Sequence, residues 1–480
     1  MEKKIYAGER LRRLREGQGM SQVALARLLG LSPSYVNQME SNQRPMTAAV
    51  LTAAAQHFDV PPTYFADAED LRAIADIREM LTDPLFQSGD IGTAEMRAMV
   101  RAAPKLSSQF LTLYRAYRTL ADELTALRET VAHGDHASPV APFPYDEVRD
   151  YIQSKQNYID VLDRAAETLA ETWGFRQETL ASDLTHYLHS RHGVDVRLDD
   201  SLAHADALWH FDATARQLTI AETTRPSSRG FYLAYAIALL EQAGVIEHLV
   251  TEARFSSDAA RSIARVGLAN YFAGALCLPY GAFLGEACRV GYDIEQLQSR
   301  FAASFEQVCH RLSTMQRPDA PGVPFYFVKV DLAGNVTKRS SATRFQFARF
   351  GGACPLWSVH QAFAQPNRIL VQMVETPDGQ RYLSIARTVR SGGGAFNRRP
   401  REFAVELGCD VAHAHQLVYA AGLDLSNPAA AVPVGSSCRI CERLDCHQRA
   451  VPPAGMELAV HPDLRRTLPY SVARRAPGQK

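Results

Sequence analysis

GMSQVALARLLGLSPSYVNQME, residues 19–40, reads as a helix, a tight turn and a second helix. Ser21 is placed to cap the first helix, and Leu25, Ala26 and Leu29 recur at the spacing of one buried stripe. Gly30 stands where the chain ends that helix through a positive φ, which a residue without Cβ adopts freely. Ser32 then caps the second helix, and Pro33 falls at its first position, where no N–H is needed. Val36 and Met39 face inward, which leaves Ser34, Asn37 and Gln38 on the outer side of a short exposed helix. Such a unit lays one helix in the major groove of double-stranded DNA.

The flanks agree. Residues 8–18, GERLRRLREGQ, form an amphipathic helix with Leu11 and Leu14 inward and Arg10, Arg12 and Arg13 outward. Residues 47–58 supply a closing helix. Through Ala66 there are eight Lys/Arg against five Asp/Glu, a net charge of +3 suited to a polyanion. The segment resembles the Cro/phage-repressor class of helix-turn-helix domains. That resemblance implies that Gln22 anchors the first helix to phosphate, that Ser34 and Gln38 read bases, and that Arg44 meets the DNA backbone. Ser32, Tyr35 and Asn37 complete the DNA-facing set, and Arg15 pairs with Glu40 as an internal clasp.

A chain of 480 residues needs two to four domains, and its formal net charge of zero makes the basic N-terminus a local feature. No apolar run is long enough to span a membrane, and Glu2, Lys3 and Lys4 lead straight into the first helix. The expectation is a cytoplasmic protein without a membrane partner. Eight cysteines in a long cytosolic chain point to core thiols and a metal site rather than disulfides.

The expected fold is mostly α and multidomain. A helix-turn-helix bundle occupies residues 1–66 and a helical connector 67–129, followed by a linker at 130–144, rich in Pro, Ala and His. A helical domain spans 145–317, with helices at 229–243, 257–280 and 293–316. An α+β domain spans 323–480, with hairpins turning at Gly334–Asn335 and Asp378–Gly379 and a short helical stretch after residue 391. In the connector, Phe110, Leu113, Tyr117, Leu120, Leu124 and Leu127 alternate by three and four. This short heptad seam is suited to a homodimer or homotetramer.

Two stretches carry chemistry. In C-R-I-C-E-R-L-D-C, Cys438, Cys441 and Cys446 place three thiols close together. Cys354, after two glycines in FGGACPLW, is the preferred fourth ligand. Four thiolates suit zinc or an iron–sulfur cluster, and spacing alone does not separate them. Residues 229–241, RGFYLAYAIALLE, resemble the helix that carries H-E-x-x-H in ImmA/IrrE-like metallopeptidase domains, with the match continuing to FEQVCHRL. Tyr235, Ala236 and Leu239 then fall at the zinc-ligand and base positions, which none of them can serve at neutral pH. A vacated cleft is a natural small-molecule pocket. Tyr158, Tyr235 and Leu239 are its candidate walls, and Arg225, Arg229 and Arg344 its candidate phosphate contacts.

Taken with GERLRRLRE, SPSYVNQMESNQRP, NYIDVLDRAAE, FARFGGACPLWSVHQAF and CRICERLDCHQRAVPP, the chain resembles the short-chain fatty acyl transcriptional regulators of the methylcitrate cycle and glyoxylate bypass. The resemblance implies no enzymatic activity. It implies a DNA-binding regulator with an acyl-CoA effector, controlling fatty-acid, propionate or acetate metabolism. A metal or redox sensor acting through the cysteines, and a DNA-tethered metallopeptidase, are the alternatives.

Overall fold

The computed structural model describes residues 7–41, 43–58, 60, 68–81, 83, 85–86, 91–133, 144–199, 207–343, 345, 354–392, 400–435, 437–438, 441, 443–453, 456–461, 463–464, 467–468 and 470–474. The chain divides into two compact units, one carrying residues 1–139 and the other 140–453.

In the first unit, α1 (Gly8–Gly17), α2 (Gln22–Leu29), α3 (Pro33–Glu40) and α4 (Ala48–Phe58) enclose a core of Leu11, Leu25, Ala26, Val36, Met39 and Ala54. The caps sit where the sequence places them. Ser21 accepts the Ala24 N–H and Ser32 the Tyr35 N–H, each at 3.2 Å, and Gly30 turns at φ 66°. A Cβ on Gly8 would lie 1.8 Å from the Met39 carbonyl oxygen, so glycine lets α1 start directly against the end of α3.

The connector consists of α5 (Ala68–Met80), α6 (Thr93–Ala102) and α7 (Pro104–His133). Leu111 and Tyr114 form the buried side of α7, and Asp83 accepts hydrogen bonds from Tyr114 at 3.0 Å and Arg118 at 2.9 Å. The seam residues lie on a different side: Leu113 is 66% exposed, with Phe110 and Tyr117 also open. The side chains of Leu120, Leu124 and Leu127 lie outside the described residues. Helix α7 continues to His133, past the expected start of the linker, most of which also lies outside them.

The second unit begins with α8 (Pro144–Ser154), α9 (Asp160–Trp173) and α10 (Leu180–His192). A three-stranded sheet follows, absent from the expected all-helical domain. β1 (Asp195–Leu198) runs parallel to β3 (Gln217–Ile220), which pairs antiparallel with β2 (Trp209–Asp212). Its strands are four residues each, too short to show a period in the sequence.

Then come α11 (Pro226–Glu241), α12 (Ala243–Ala253), α13 (Asp258–Cys277) and α14 (Tyr280–Arg289). The helix expected over 293–316 is two, α15 (Ile294–Phe301) and α16 (Phe305–Leu312). Ala302 breaks it at φ 48°, and a capping box of Ser304 and Gln307 restarts it.

The six-stranded sheet has the order β5-β4-β8-β7-β6-β9. It comprises β4 (Phe325–Asp331), β5 (Val336–Ser341), β6 (Leu370–Glu375), β7 (Arg381–Ser391), β8 (Arg401–Asp410) and β9 (Val432–Pro433). Both expected hairpins are present. β8, an unexpected strand, lies between β4 and β7, and the expected short helical stretch follows it at Val411–Ala414. Alternation divides β4: Phe325 and Phe327 join the helical core, while Tyr326, Val328 and Val330 face a second core with Cys354 and Trp357. The expected boundary near residue 320 is therefore not a break in packing, because the helices and one sheet face share one core.

Candidate functional site

Helix α11 holds the position of the vacated metallopeptidase centre. Tyr235 is buried edge-on against Trp209 at 5.1 Å, Ala236 is fully buried, and Leu239 is 37% exposed. Burial pushes the Tyr235 hydroxyl up, so the phenol stays neutral. Leu239 and Tyr235 line neither of the two cavities described next.

Open space lies elsewhere in this unit. A cavity of about 450 Å³ is bounded by Ser227, Gly230 and Phe231 of α11, Gly274 and Cys277 of α13, and Gln307 and Arg311 of α16. A second, of about 850 Å³, is bounded by Arg149 and Ile152 of α8, Asn157, Gly267 and the β4–β5 hairpin. The two share Asn270, Tyr271, His310, Thr314 and Lys338 in their walls and so adjoin as two lobes. The volumes suit a ligand larger than a short-chain acid.

Where the lobes meet, charge is arranged in depth. Burial, reinforced by the charges of Lys338 and Arg311, holds His310 well below its usual range, so its imidazole is neutral at pH 7. Lys338 keeps surface open to the lobes, yet the protein around its ammonium pushes it down to about 8 against the pull of Glu306. Behind the wall, fully buried Asp163 accepts from Arg311 at 2.6 and 3.2 Å, from Arg317 at 3.3 Å and from the Tyr271 hydroxyl at 2.7 Å. Arg317 also reaches Glu167 at 2.7 Å and lies over the Tyr280 ring. Tyr271 and Arg311 therefore belong both to the cavity wall and to the ion network.

The candidate pocket residues do not gather here. The Tyr158 hydroxyl donates to Asp160 and accepts from Arg317, each at 2.9 Å. Arg225 precedes α11, and Arg229 donates to the Thr224 and Glu222 carbonyls, closing the loop before that helix. Tyr158, Tyr235, Leu239, Arg225 and Arg229 line neither lobe, and Arg344 lies outside the described residues. Asn157, Asn270, Tyr271, His310 and Lys338 stand in the cavity walls instead. Asn157 and His310 stand inside NYIDVLDRAAE and FEQVCHRL, but no local pattern signals that these segments meet.

Among the cysteines, the Gly435 and Leu356 N–H groups lie close enough to Cys354 to favour its thiolate. Burial pushes this thiol up, those donors oppose the rise, and nearby Cys438 and Cys441 add to it. A Cβ on Gly435 would lie 2.9 Å from Cys441 Sγ. Buried Arg449 donates to the Cys438 and Cys441 carbonyls at 3.2 and 3.4 Å. The expected four-thiolate set of Cys354, Cys438, Cys441 and Cys446 is not seen as one cluster. Among the described residues, no three His, Cys, Asp or Glu are gathered so as to hold a metal ion. Cys354, in the segment before β6, belongs to the second core and feels the nearby Cys438 and Cys441 of the segment after β9; Cys446 is half-buried.

Comparison with known proteins gives a consistent result. Residues 11–65 match the helix-turn-helix family, 189–313 the IrrE N-terminal-like domain, and 314–470 the family described as short-chain fatty acyl coenzyme A regulator, C-terminal. The propionyl-CoA carboxylase regulator of Cereibacter sphaeroides is 46% identical over 472 residues, covering 98% of this chain and 100% of the relative.

The chain belongs to the short-chain fatty acyl regulator family.

A second relative, the HTH-type transcriptional regulator PrpR of Mycobacterium tuberculosis, is 42% identical over 98% of this chain and 96% of its own length. A solved structure titled Mycobacterium tuberculosis transcriptional regulator is 45% identical, with a TM-score of 0.66, over 69% of this chain and all of that chain. This family member is a DNA-binding transcriptional regulator, not an enzyme. Among its described residues no single helix is long and apolar enough to cross a membrane.

Its helix-turn-helix presents a prepared surface. Arg15 reaches Glu40 at 2.6 and 3.1 Å, so the clasp is present. The Gln22 amide donates to the same carboxylate at 2.7 Å, which ties that side chain to α3. Ser32, Ser34, Asn37 and Arg44 are exposed, with Tyr35 and Gln38 half-buried. The Gln38 carbonyl accepts the Gln43 and Arg44 N–H groups at 2.8 and 3.1 Å, and the Arg44 guanidinium lies 5.0 Å from the Tyr35 ring centre. Arg44 is thus held beside the outer face of α3 before any ligand arrives.

Proposed function

We propose that this regulator binds a short-chain acyl-CoA in the two-lobed cavity and uses it to adjust operator binding, in control of propionate, fatty-acid or acetate metabolism in the cytoplasm. The observation that carries the reading is the size and character of the cavity, whose two lobes both mix apolar and polar walls and share Lys338, with Arg149 and Arg339 edging the larger. A ligand shifts the regulator only if it binds the two operator-binding states unequally. The exposed row of Phe110, Leu113 and Tyr117 supports a homodimer or homotetramer through α7. The N–H donors on Cys354 and the proximity of Cys438 and Cys441 support thiolate ligation of zinc or an iron–sulfur cluster, with Cys446 as the further ligand. Bound there, such a group would cross-link segments distant in sequence.

Native mass spectrometry of the full chain, with added acetyl-, propionyl- or butyryl-CoA, tests all three elements. The expected spectrum shows a dimer or tetramer, a metal mass lost on denaturation, and one acyl-CoA per chain. Failure to retain any CoA thioester would remove the sensor reading.

On the DNA side, Ser34 and Gln38 lie four residues apart on α3 and are assigned to base edges, while Arg44 and Gln22 are assigned to phosphate, with Ser32, Tyr35 and Asn37 alongside. Gln38→Ala is expected to lower specific binding by about 1–3 kcal/mol per lost base contact and to relax sequence preference. Arg44→Ala is expected to weaken all duplexes alike and flatten the salt dependence. Binding to operator and scrambled duplexes distinguishes them, and equal losses on both for Gln38→Ala would refute its assignment.

A further inference from the structure

One face of α13 forms a wall common to both lobes. Ile263, Gly267, Asn270, Gly274 and Cys277 stand along it, spaced alternately by four and three residues. Two are glycines within a helix, where glycine costs stability relative to alanine. Neither has a positive φ, and a Cβ on either would meet nothing within 4 Å. Backbone conformation and protein packing both leave room for alanine. What these glycines provide is bare helix surface facing the cavity.

A separate observation points to what lies against that surface. Asn157 is 1% exposed and lines the larger lobe, and neither its Oδ1 nor its Nδ2 has a hydrogen-bond partner among the described residues. A buried carboxamide left unpaired is costly, and it offers both a donor and an acceptor. A secondary amide complements both. A carboxylate accepts only and would leave Oδ1 without a donor.

We propose that Asn157 recognises an amide of the pantetheine arm of the acyl thioester, and that Gly267 and Gly274 form the floor along which that arm passes between the lobes. The inference rests on the acyl-CoA reading above and narrows the ligand class to pantetheine-linked thioesters, excluding free fatty acids. The acyl group then enters the smaller lobe beyond Gly274, beside Phe231 and Cys277, and the nucleotide end stays in the larger lobe near Lys338.

Calorimetric titration of the full chain with propionyl-CoA and with propionate tests this. The wild-type chain is expected to bind the thioester and not the free acid. Asn157→Gly suits the positive φ of 60° at that position, so the variant is expected to fold and to lose at least tenfold in propionyl-CoA affinity. Gly267→Leu and Gly274→Leu are expected to lose at least tenfold as well. Gly267→Ala and Gly274→Ala are expected to raise the melting temperature while weakening propionyl-CoA severalfold, a combination that a purely structural role would not produce. Wild-type affinity in folded Asn157→Gly and in both leucine variants would overturn the inference while leaving the acyl-CoA reading intact. So would equal binding of propionate by the wild-type chain. No binding of any CoA thioester by the wild-type chain would overturn both.

Discussion

Asp163→Asn is expected to destabilise the second unit by about 3–5 kcal/mol, the range for removing one partner of a buried ion pair. The carboxylate is fully buried and takes hydrogen bonds from Arg311, Arg317 and Tyr271. An amide in its place presents an N–H₂ toward one of these donors and leaves Arg311, itself 3% exposed, without its counter-charge. Glu167 still neutralises Arg317, so the loss concentrates at Arg311.

The pH dependence has a definite sign. Burial pushes Asp163 up, but Arg311, with help from Tyr271 and Arg317, more than offsets this and holds it below the usual carboxylate range. Its contribution is therefore complete above the unfolded value of about 3.9 and is lost as pH falls through the depressed native value. Urea denaturation of wild type and variant at pH 7, with an acid series for the wild type, measures both effects. The double variant Asp163→Leu/Arg311→Met is expected to recover much of the loss, since it leaves no unpaired charge. A deficit under 1 kcal/mol for Asp163→Asn would show that the network contributes little. Because Tyr271 and Arg311 line the cavity, the same variant is also expected to weaken acyl-CoA binding.

Gly408→Ala is expected to cost about 3 kcal/mol, the upper end for overpacking a core. Gly408 pairs with Tyr326 across β8 and β4, and a Cβ there would lie 2.3 Å from the Tyr326 ring. The ring cannot swing aside cheaply. Its hydroxyl is hydrogen-bonded to Ser384 and donates to buried Glu406 at 2.9 Å, and the ring stacks on Phe345 at 4.3 Å. Glu406 also accepts from Ser358 and the Val359 N–H, so a displaced Tyr326 disturbs the segment that follows Cys354. Thermal denaturation followed by near-ultraviolet circular dichroism reads this directly. Gly267→Ala, whose added methyl meets nothing, is the matched control of opposite sign. Equal stability of the two variants would refute the steric argument.

Features under short-range control are legible along the chain. Ser21, Gly30, Ser32 and Pro33 fix the helix-turn-helix within a dozen residues, because caps and a left-handed turn act on their immediate neighbours. The turns at Gly334 and Gly379 fix two hairpins in the same way, through positive φ at one residue. The break at Ala302 was also legible in its S-x-x-Q capping box, but the apolar spacing runs across it and masks the signal.

Where open space lies inside the second unit is set by long-range packing. Asn157, Gly267, His310 and Lys338 stand far apart in the chain and meet only when α13, α16 and the β4–β5 hairpin share one core. The H-E-x-x-H-like positions pointed to Tyr235 and Leu239, and the motif carries no sign that Trp209 packs edge-on against Tyr235. A cavity is the space that packing leaves over. No local pattern encodes it, because each wall residue looks, within its own segment, like an ordinary member of a helix or hairpin.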